Sequence, residues 1–303
     1  MRLFKKTNID FMGARTKMYI ASTTIIVIGM LSLFVKGVDY GIDFRGGTEL
    51  VLSFSEKPEF GQLREILGGA GFGDSEIKSF GSETMILVRT TRQGEGMTVA
   101  TALQDALRAK LPQGSFQVLR QDKIGPKIGK ELRQDAMYAI VASLLVILAY
   151  VAIRYKFSFG VGAVLALYHD VLFTLGIISI LDGVTPWLNL EITQEMIAAF
   201  LTLVGLSVND TVVVFDRIRE NSKIYRSWSL EQIMNRSIND TLSRTIITSG
   251  TILIVLLVLL FVGGEVTRGF AFALTVGIIV GTYSSIYIAS AVVLDNSLRK
   301  NKE

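Results

Sequence analysis

A run of about 20 apolar residues leaves a chain few choices, and crossing a bilayer is the commonest of them. This sequence has six such runs, at about 18–37, 137–153, 157–181, 195–215, 244–263 and 268–294. Half of its residues are hydrophobic and 19% are charged, which excludes a soluble domain or a disordered chain and predicts a polytopic α-helical membrane protein. The fourth run holds a carboxylate, Asp210, within Leu203–Asn221. At helical rise Asp210 lies about 22 Å from Glu195 and about 10 Å from Arg217. An acid at that depth costs roughly 2.5–3.5 kcal/mol on insertion scales, so it is expected to face protein or a wet cavity and to have a function. It is the first candidate for handling an ion.

Charge placement orients the spans. Arg2, Lys5, Lys6, Arg15 and Lys17 precede the first, and Arg154 and Lys156 link the second to the third. Six basic residues, counting Arg244, separate spans four and five, and Arg299, Lys300 and Lys302 close the chain. The 182–194 link has no Lys or Arg, and 263–268 has only Arg268. The positive-inside rule therefore predicts cytoplasmic termini: a segment 1–17, a first span 18–37, a bundle of five spans over 136–296 and a tail 297–303. These fringes account for the net charge of +4, leaving no clustered basic face for nucleic acid. No cleavable signal is expected, because the basic lead is long and Val38-Asp-Tyr-Gly-Ile is a poor cleavage site. The absence of cysteine removes disulfides and thiol chemistry.

Residues 38–135 are the one large soluble piece, predicted on the outer, periplasmic side. Thr48–Phe54 reads as a strand, Pro58–Gly69 as a helix, and Glu76–Ser79 and Thr84–Thr90 as strands across a turn at Gly81. Val99–Leu111 reads as a helix with Leu103, Leu107 and Leu111 on one stripe, and Ser115–Gln121 as a last strand. The order βαββαβ predicts a ferredoxin-like α+β domain. Gly41-Ile-Asp43-Phe44-Arg-Gly46-Gly47 precedes the first strand. No helix with Gly-Lys-Ser follows, so a tight turn is favoured over a phosphate cradle. Gly125-Pro126-Lys-Ile-Gly129 resembles a hinge into span two, or an ordinary loop.

Within the spans, Tyr168-His169-Asp170 lies near the middle of the third. A lone histidine is usually a satisfied core residue. Two adjacent titratable groups at mid-depth argue instead for proton transfer, although they point about 100° apart on a helix and are not expected to share a face. Arg244 opens span five before Thr248, Ser249 and Thr251. It is either a snorkelling basic residue or, if spans four and five pack together, a partner reaching toward Asp210. Thr248, Ser249 and Thr251 could line a wet path or bond back to their own helix, and Asn209 is a further candidate for that polar path. Span six offers a close-packing Gly277-x-x-x-Gly281 beside Thr282, Tyr283, Ser284 and Ser285. One histidine, no cysteine, no Ser/His/Asp set and no Walker loop leave nothing that reads as an enzyme, and no metal or cofactor is expected.

Gly205-Leu-Ser-Val-Asn-Asp210-Thr-Val-Val-Val-Phe-Asp216-Arg-Ile-Arg-Glu-Asn221 resembles the fourth-span signature of the SecD/SecF family, on the SecF side. Gly41–Gly47 resembles the family's motif after span one, and Gly125-Pro126-x-x-Gly129-x-Glu131-Leu132 its motif before span two. His169-Asp170 and Ser243-Arg244-Thr245 are similar to family patterns too. Leu206 stands where many members have an aromatic residue. The resemblance covers nearly the whole chain and matches a standalone subunit, not a fused SecDF.

It implies a resistance–nodulation–division type of fold, an inner-membrane location, and a complex with SecD. It further implies association with the SecYEG channel and, in many bacteria, YajC. The implied activity is proton-driven help to a translocating preprotein, with Asp210 at the proton-carrying position, Arg244 beside it, and membrane lipid around the spans. In this picture protonation of Asp210 loosens its hold on Arg244, shifts spans four to six and moves the outer domain through 125–135. The rivals are a proton-coupled exporter of small molecules or lipids, and a passive assembly subunit in which Asp210 only orders the bundle.

Overall fold

The computed structural model describes residues 7–155, 157–185 and 187–300. Arg2, Lys5, Lys6, Lys156 and Lys302 of the orientation argument lie outside those residues, as do 1–6 and 301–303 of the two expected terminal segments. The chain divides into two compact units. One comprises Val38–Ala139 with Leu181–Glu195, and the other everything else, with Met196 onward returning to it.

The first, a sheet unit, contains the short helix α2 (Ile42–Arg45), then β1 (Gly47–Phe54), α3 (Phe60–Gly69), β2 (Glu76–Phe80), β3 (Ser82–Thr90), α4 (Thr98–Lys110) and β4 (Phe116–Ile124). From β1 onward this is the predicted βαββαβ order. The sheet order is β2-β3-β1-β4 with every pair antiparallel. Alternate residues decide the two faces. Leu50, Leu52, Ile77, Ile86 and Val88 meet Leu63, Leu67, Ala100, Leu103 and Leu107 of the helices in one buried core. Each of the Leu, Ile and Val side chains contributes about 1.5–3 kcal/mol on burial. The opposite face carries Val51, Phe80 and Leu87, alternating with Glu49 and Arg89, which pair across β1 and β3.

The glycine motif before β1 is one helical turn ended by Gly46 (φ 70°) and Gly47 (φ 124°). At Gly47 a Cβ would stand 2.3 Å from the Thr90 carbonyl, so both backbone angle and space demand glycine there. The hinge or loop expected at 125–129 shrinks to Gly125. β4 runs to Ile124, and Pro126 already opens the helix α5 (Pro126–Arg154). Proline suits that first position, since its ring fixes φ and its missing N–H would have had no partner.

The helical unit contains α1 (Arg15–Lys36), the part of α5 from Ile140, α6 (Phe157–Leu181), α7 (Gln194–Ile224) and α8 (Leu230–Val262). The last span is α9 (Glu265–Ser284), a π-helical turn Ser285–Ala289 and α10 (Ser290–Lys300). Among the described residues six helices are long and apolar enough to span a membrane. Burial sorts them: 67% of the apolar window in the last span is buried, against 6% of that in α5. The last span, α6 and α7 form the centre, while α1, α5 and α8 present apolar faces outward. Close approach is set by glycine. A Cβ on Gly29 of α1 would stand 2.3 Å from the Gly176 Cα of α6, and one on Gly277 of α9 2.6 Å from the Leu203 side chain of α7. α8 starts at a capping box, in which Ser229 accepts from the Gln232 N–H and Gln232 accepts from that of Ser229.

Candidate functional site

Asp210 sits on α7 half-buried, and its neighbours come from α8 and α9. Ser249 donates to its Oδ2 at 3.2 Å, and Thr282 donates to Ser249 at 2.8 Å, giving a one-directional hydroxyl relay onto the carboxylate. The same residues, with Leu206, Ser207, Asn209, Thr248, Gly277 and Gly281, line a cavity of about 20 Å³, room for about one water. Gly281 keeps that space open, because a Cβ there would crowd the Ser207 side chain at 3.2 Å.

Arg244 stops short of a direct bond to Asp210, although its charge still acts on that carboxylate. Arg244 is exposed, and among the described residues no ion pair joins it to Asp210. Arg244 precedes Ser249 by five residues on α8, and Ser249 takes the position against the carboxylate. Thr248 bonds back to the Arg244 carbonyl at 3.0 Å and Thr251 to that of Thr248 at 2.8 Å, so of the three expected hydroxyls only Ser249 turns to the acid.

A second carboxylate centre lies in the same unit. Asp170 is 1% exposed and accepts from Ser207 at 2.5 Å, Ser284 at 2.7 Å and the His169 ring at 3.0 Å. The last contact corrects the expectation that His169 and Asp170 face apart. Their Cα–Cβ bonds diverge, but the imidazole folds along the helix and brings Nδ1 to Oδ1. With Asp170 ionised it can only accept, so Nδ1 carries the proton. Nε2 is buried with no hydrogen-bond partner among the described residues, and Tyr283 stacks on the ring at 6.0 Å. Ser207 belongs to both centres, donating to Asp170 while lining the Asp210 cavity. Nothing in the sequence singles it out, because a serine in an apolar helix commonly bonds its own backbone.

In the sheet unit the two glycine motifs meet. A Cβ on Gly129 would come within 3.3 Å of the Gly46 nitrogen and 3.4 Å of the Asp43 carbonyl. Phe44 packs edge-on to Tyr40 at 6.2 Å, whose ring also carries the Arg133 guanidinium at 5.0 Å. Gly41 donates to the Ile192 carbonyl at 3.0 Å, and Ile192 donates to that of Asp39 at 2.7 Å. Asp43 Oδ2 accepts from the Gln194 N–H at 2.9 Å, at the start of α7.

Beside this backbone pairing lies a charge network absent from the sequence reading. Arg89, 3% exposed, bridges Glu49 and Glu191 at 2.7 Å each. Lys78 pairs with Glu191, with Asp39 at 3.4 Å and with Glu76 at 3.6 Å. Asp39, Glu76 and Glu191 have oxygens close enough to one another to hold a metal ion, but the Lys78 ammonium already reaches all three. Burial opposes the ionisation of Glu191, yet Lys78 and Arg89 outweigh it and hold its carboxyl below the usual range. Burial likewise disfavours charged Lys78, and Glu191 and Asp39 overcome it and raise its pKa. A charged residue inside a buried strand, as Arg89 is inside Met85–Thr90, was the available signal.

Fold and site together define a polytopic helical membrane protein with one small α+β unit and carboxylates inside its helical unit. The family profile for the protein export membrane protein SecD/SecF, C-terminal, matches residues 103–299, and that for the SecD/SecF GG motif matches 31–57. A protein translocase subunit SecF of Rhodothermus marinus is 46% identical over 97% of this chain and 95% of its own. That of Vibrio alginolyticus is 40% identical over 96% and 91%. A crystal structure of SecDF, a translocon-associated membrane protein from Thermus, is 39% identical with a TM-score of 0.85, covering 99% of this chain. The chain spans 40% of the length of that solved protein. The chain belongs to the SecD/SecF family.

Proposed function

We propose that the chain is the SecF subunit of a protein-export complex, pairing with SecD and assisting a SecYEG channel, and YajC where present, in moving preprotein across the inner membrane. The proton-motive force drives the step, both termini are cytoplasmic, and 38–135 is periplasmic. The observation that carries this reading is Asp210: a half-buried acid in an apolar span, on a cavity with room for about one water, with a hydroxyl relay from Ser249 and Thr282. Such a group can take up a proton from a small wet space and release it when the packing changes. A charge crossing 100 mV is worth about 2.3 kcal/mol, enough to bias a two-state element by several-fold to tens-fold. Asp170 and His169 form a second station, connected through Ser207. Arg244 acts at longer range than a direct pair, and the relay through Ser249 takes over the holding role.

Asp210→Asn keeps shape and hydrogen bonding and removes titration. The variant is expected to co-purify with SecD and to lose export of a secreted reporter in cells depleted of native protein, with no further loss on adding an uncoupler. Normal, uncoupler-sensitive export would move the proton step to Asp170 or to the partner's carboxylates.

A further inference from the structure

We infer that Asp43 and Glu191 are positioning residues that strap the first turn of α7, the helix carrying Asp210, onto the sheet, so that movement of α7 pulls the sheet unit through residues 189–194. The inference rests on the proton-carrying reading of Asp210. α7 begins inside the sheet unit, which includes Leu181–Glu195, and continues without a break into the helical unit. Three kinds of contact hold its start. Tyr40 and Ile192 form a parallel bridge, closed by the Gly41–Ile192 and Ile192–Asp39 backbone bonds. The Asp43 carboxylate accepts from the Gln194 N–H, at the end of the helix where free N–H groups and the macrodipole favour an anion. Glu191, 4% exposed, is pinned by Lys78 of β2 and Arg89 of β3.

A buried carboxylate between two cations resists withdrawal, because pulling it away leaves Arg89 buried with one partner fewer. Glu191 thus ties the strap to two strands at once, and Gly46 and Gly47 give the 41–47 turn the shape that puts Asp43 at Gln194. α5 also runs unbroken from Pro126 across the boundary between the units, but it holds neither Asp170 nor Asp210.

The test uses the full chain in its complex with SecD, reconstituted in membrane vesicles. Glu191→Gln and Asp43→Ala, which removes the acceptor of the Gln194 N–H, should each lower proton-driven export by about fivefold or more, the usual size of a coupling between sites. Hydrogen exchange over 189–194 should quicken. Carbodiimide labelling of Asp210 should keep its dependence on pH, because the proton site itself is untouched. The chain has no cysteine, so Tyr40→Cys with Ile192→Cys supplies a reversible staple; paired strands lie about 4.7–4.9 Å apart, within disulfide reach. Adding this pair to Glu191→Gln should restore export when oxidised and lose it again on reduction. Export within twofold of the parent in both single variants would overturn the strap, as would a loss that the oxidised staple leaves unrescued. Loss of the Asp210 labelling profile would overturn it too, showing a general structural role. Failure of the underlying reading is separate: it appears as normal export in Asp210→Asn.

Discussion

Asp210 and Asp170 lie on different helices of one unit, and each is satisfied in its own way. Asp210 is held by the Ser249 and Thr282 hydroxyls with a cavity beside it, so a proton can arrive from the wet space. Asp170 has three donors and almost no exposure. Truncating it strands Ser207 and the His169 ring, while Ser284 falls back on the Gly281 carbonyl at 3.2 Å, and each unsatisfied buried group costs about 1–3 kcal/mol. Asp170→Ala is therefore expected to lower the apparent Tm of the detergent-solubilised chain by about 5 °C or more. Asp170→Asn keeps one acceptor oxygen and should cost less than half as much. Thermal unfolding of the two variants side by side checks this, and equal losses would mean that the hydroxyls and imidazole find other partners.

Among the elements, crossing of the spans depends on which glycines are in contact. Gly29→Ala drives a methyl into the Gly176 backbone, where no side chain can yield. Overpacking of this kind costs about 1–3 kcal/mol. Gly250→Ala on α8 meets nothing within 4 Å and gains up to about 1 kcal/mol of helix propensity. Denaturant titration of the full chain should therefore move in opposite directions for the two substitutions, and a shared sign would refute the crossing. These elements were largely readable in advance. The two-residue alternation of Thr48–Phe54 and the Leu103–Leu107 spacing predict their elements to within a few residues of β1 and α4. The helix ends were less readable, because α7 runs on through Asp216–Ile224 and α8 begins at Leu230, both in charged stretches that hydropathy treats as loop. Asp210 stood out because a charge interrupts an apolar run. Ser207, Ser284 and Glu191 did not, since their importance comes from neighbours 37, 114 and 102 residues away.

For the molecule as a whole, the charge network decides over what pH range the strap and sheet hold together. Glu191 has its folded pKa depressed, so its contribution is fully present above the unfolded value of about 4.3 and is lost as pH falls through the lower folded value. Lys78 has its folded pKa raised, so its contribution is present below about 10.4 and lost as pH rises through the higher folded value. Asp182, raised by burial against the bond it accepts from Leu190, works the other way. It favours the folded state more in acid and gives that up as pH rises past about 3.9. Asp39, Glu76 and Arg89 also face Glu191 or Lys78. The sheet unit should accordingly be most stable on a plateau from about pH 5 to 10 and weaken on either side. Two tryptophans, Trp187 and Trp228, make this measurable. Trp228 stacks on Tyr225 in the helical unit at 4.3 Å, while Trp187 lies in the 181–195 segment. With Trp228→Phe, thermal unfolding followed by Trp187 emission reports the strap alone. Its midpoint should stay level across the plateau and fall below about pH 4. Glu191→Gln should lower the plateau and flatten the acid limb, because the group whose protonation released the strap is gone. Asp182→Asn should steepen that limb by removing the opposing group. An acid limb unchanged in Glu191→Gln would show that Glu191 does not govern the release of the strap.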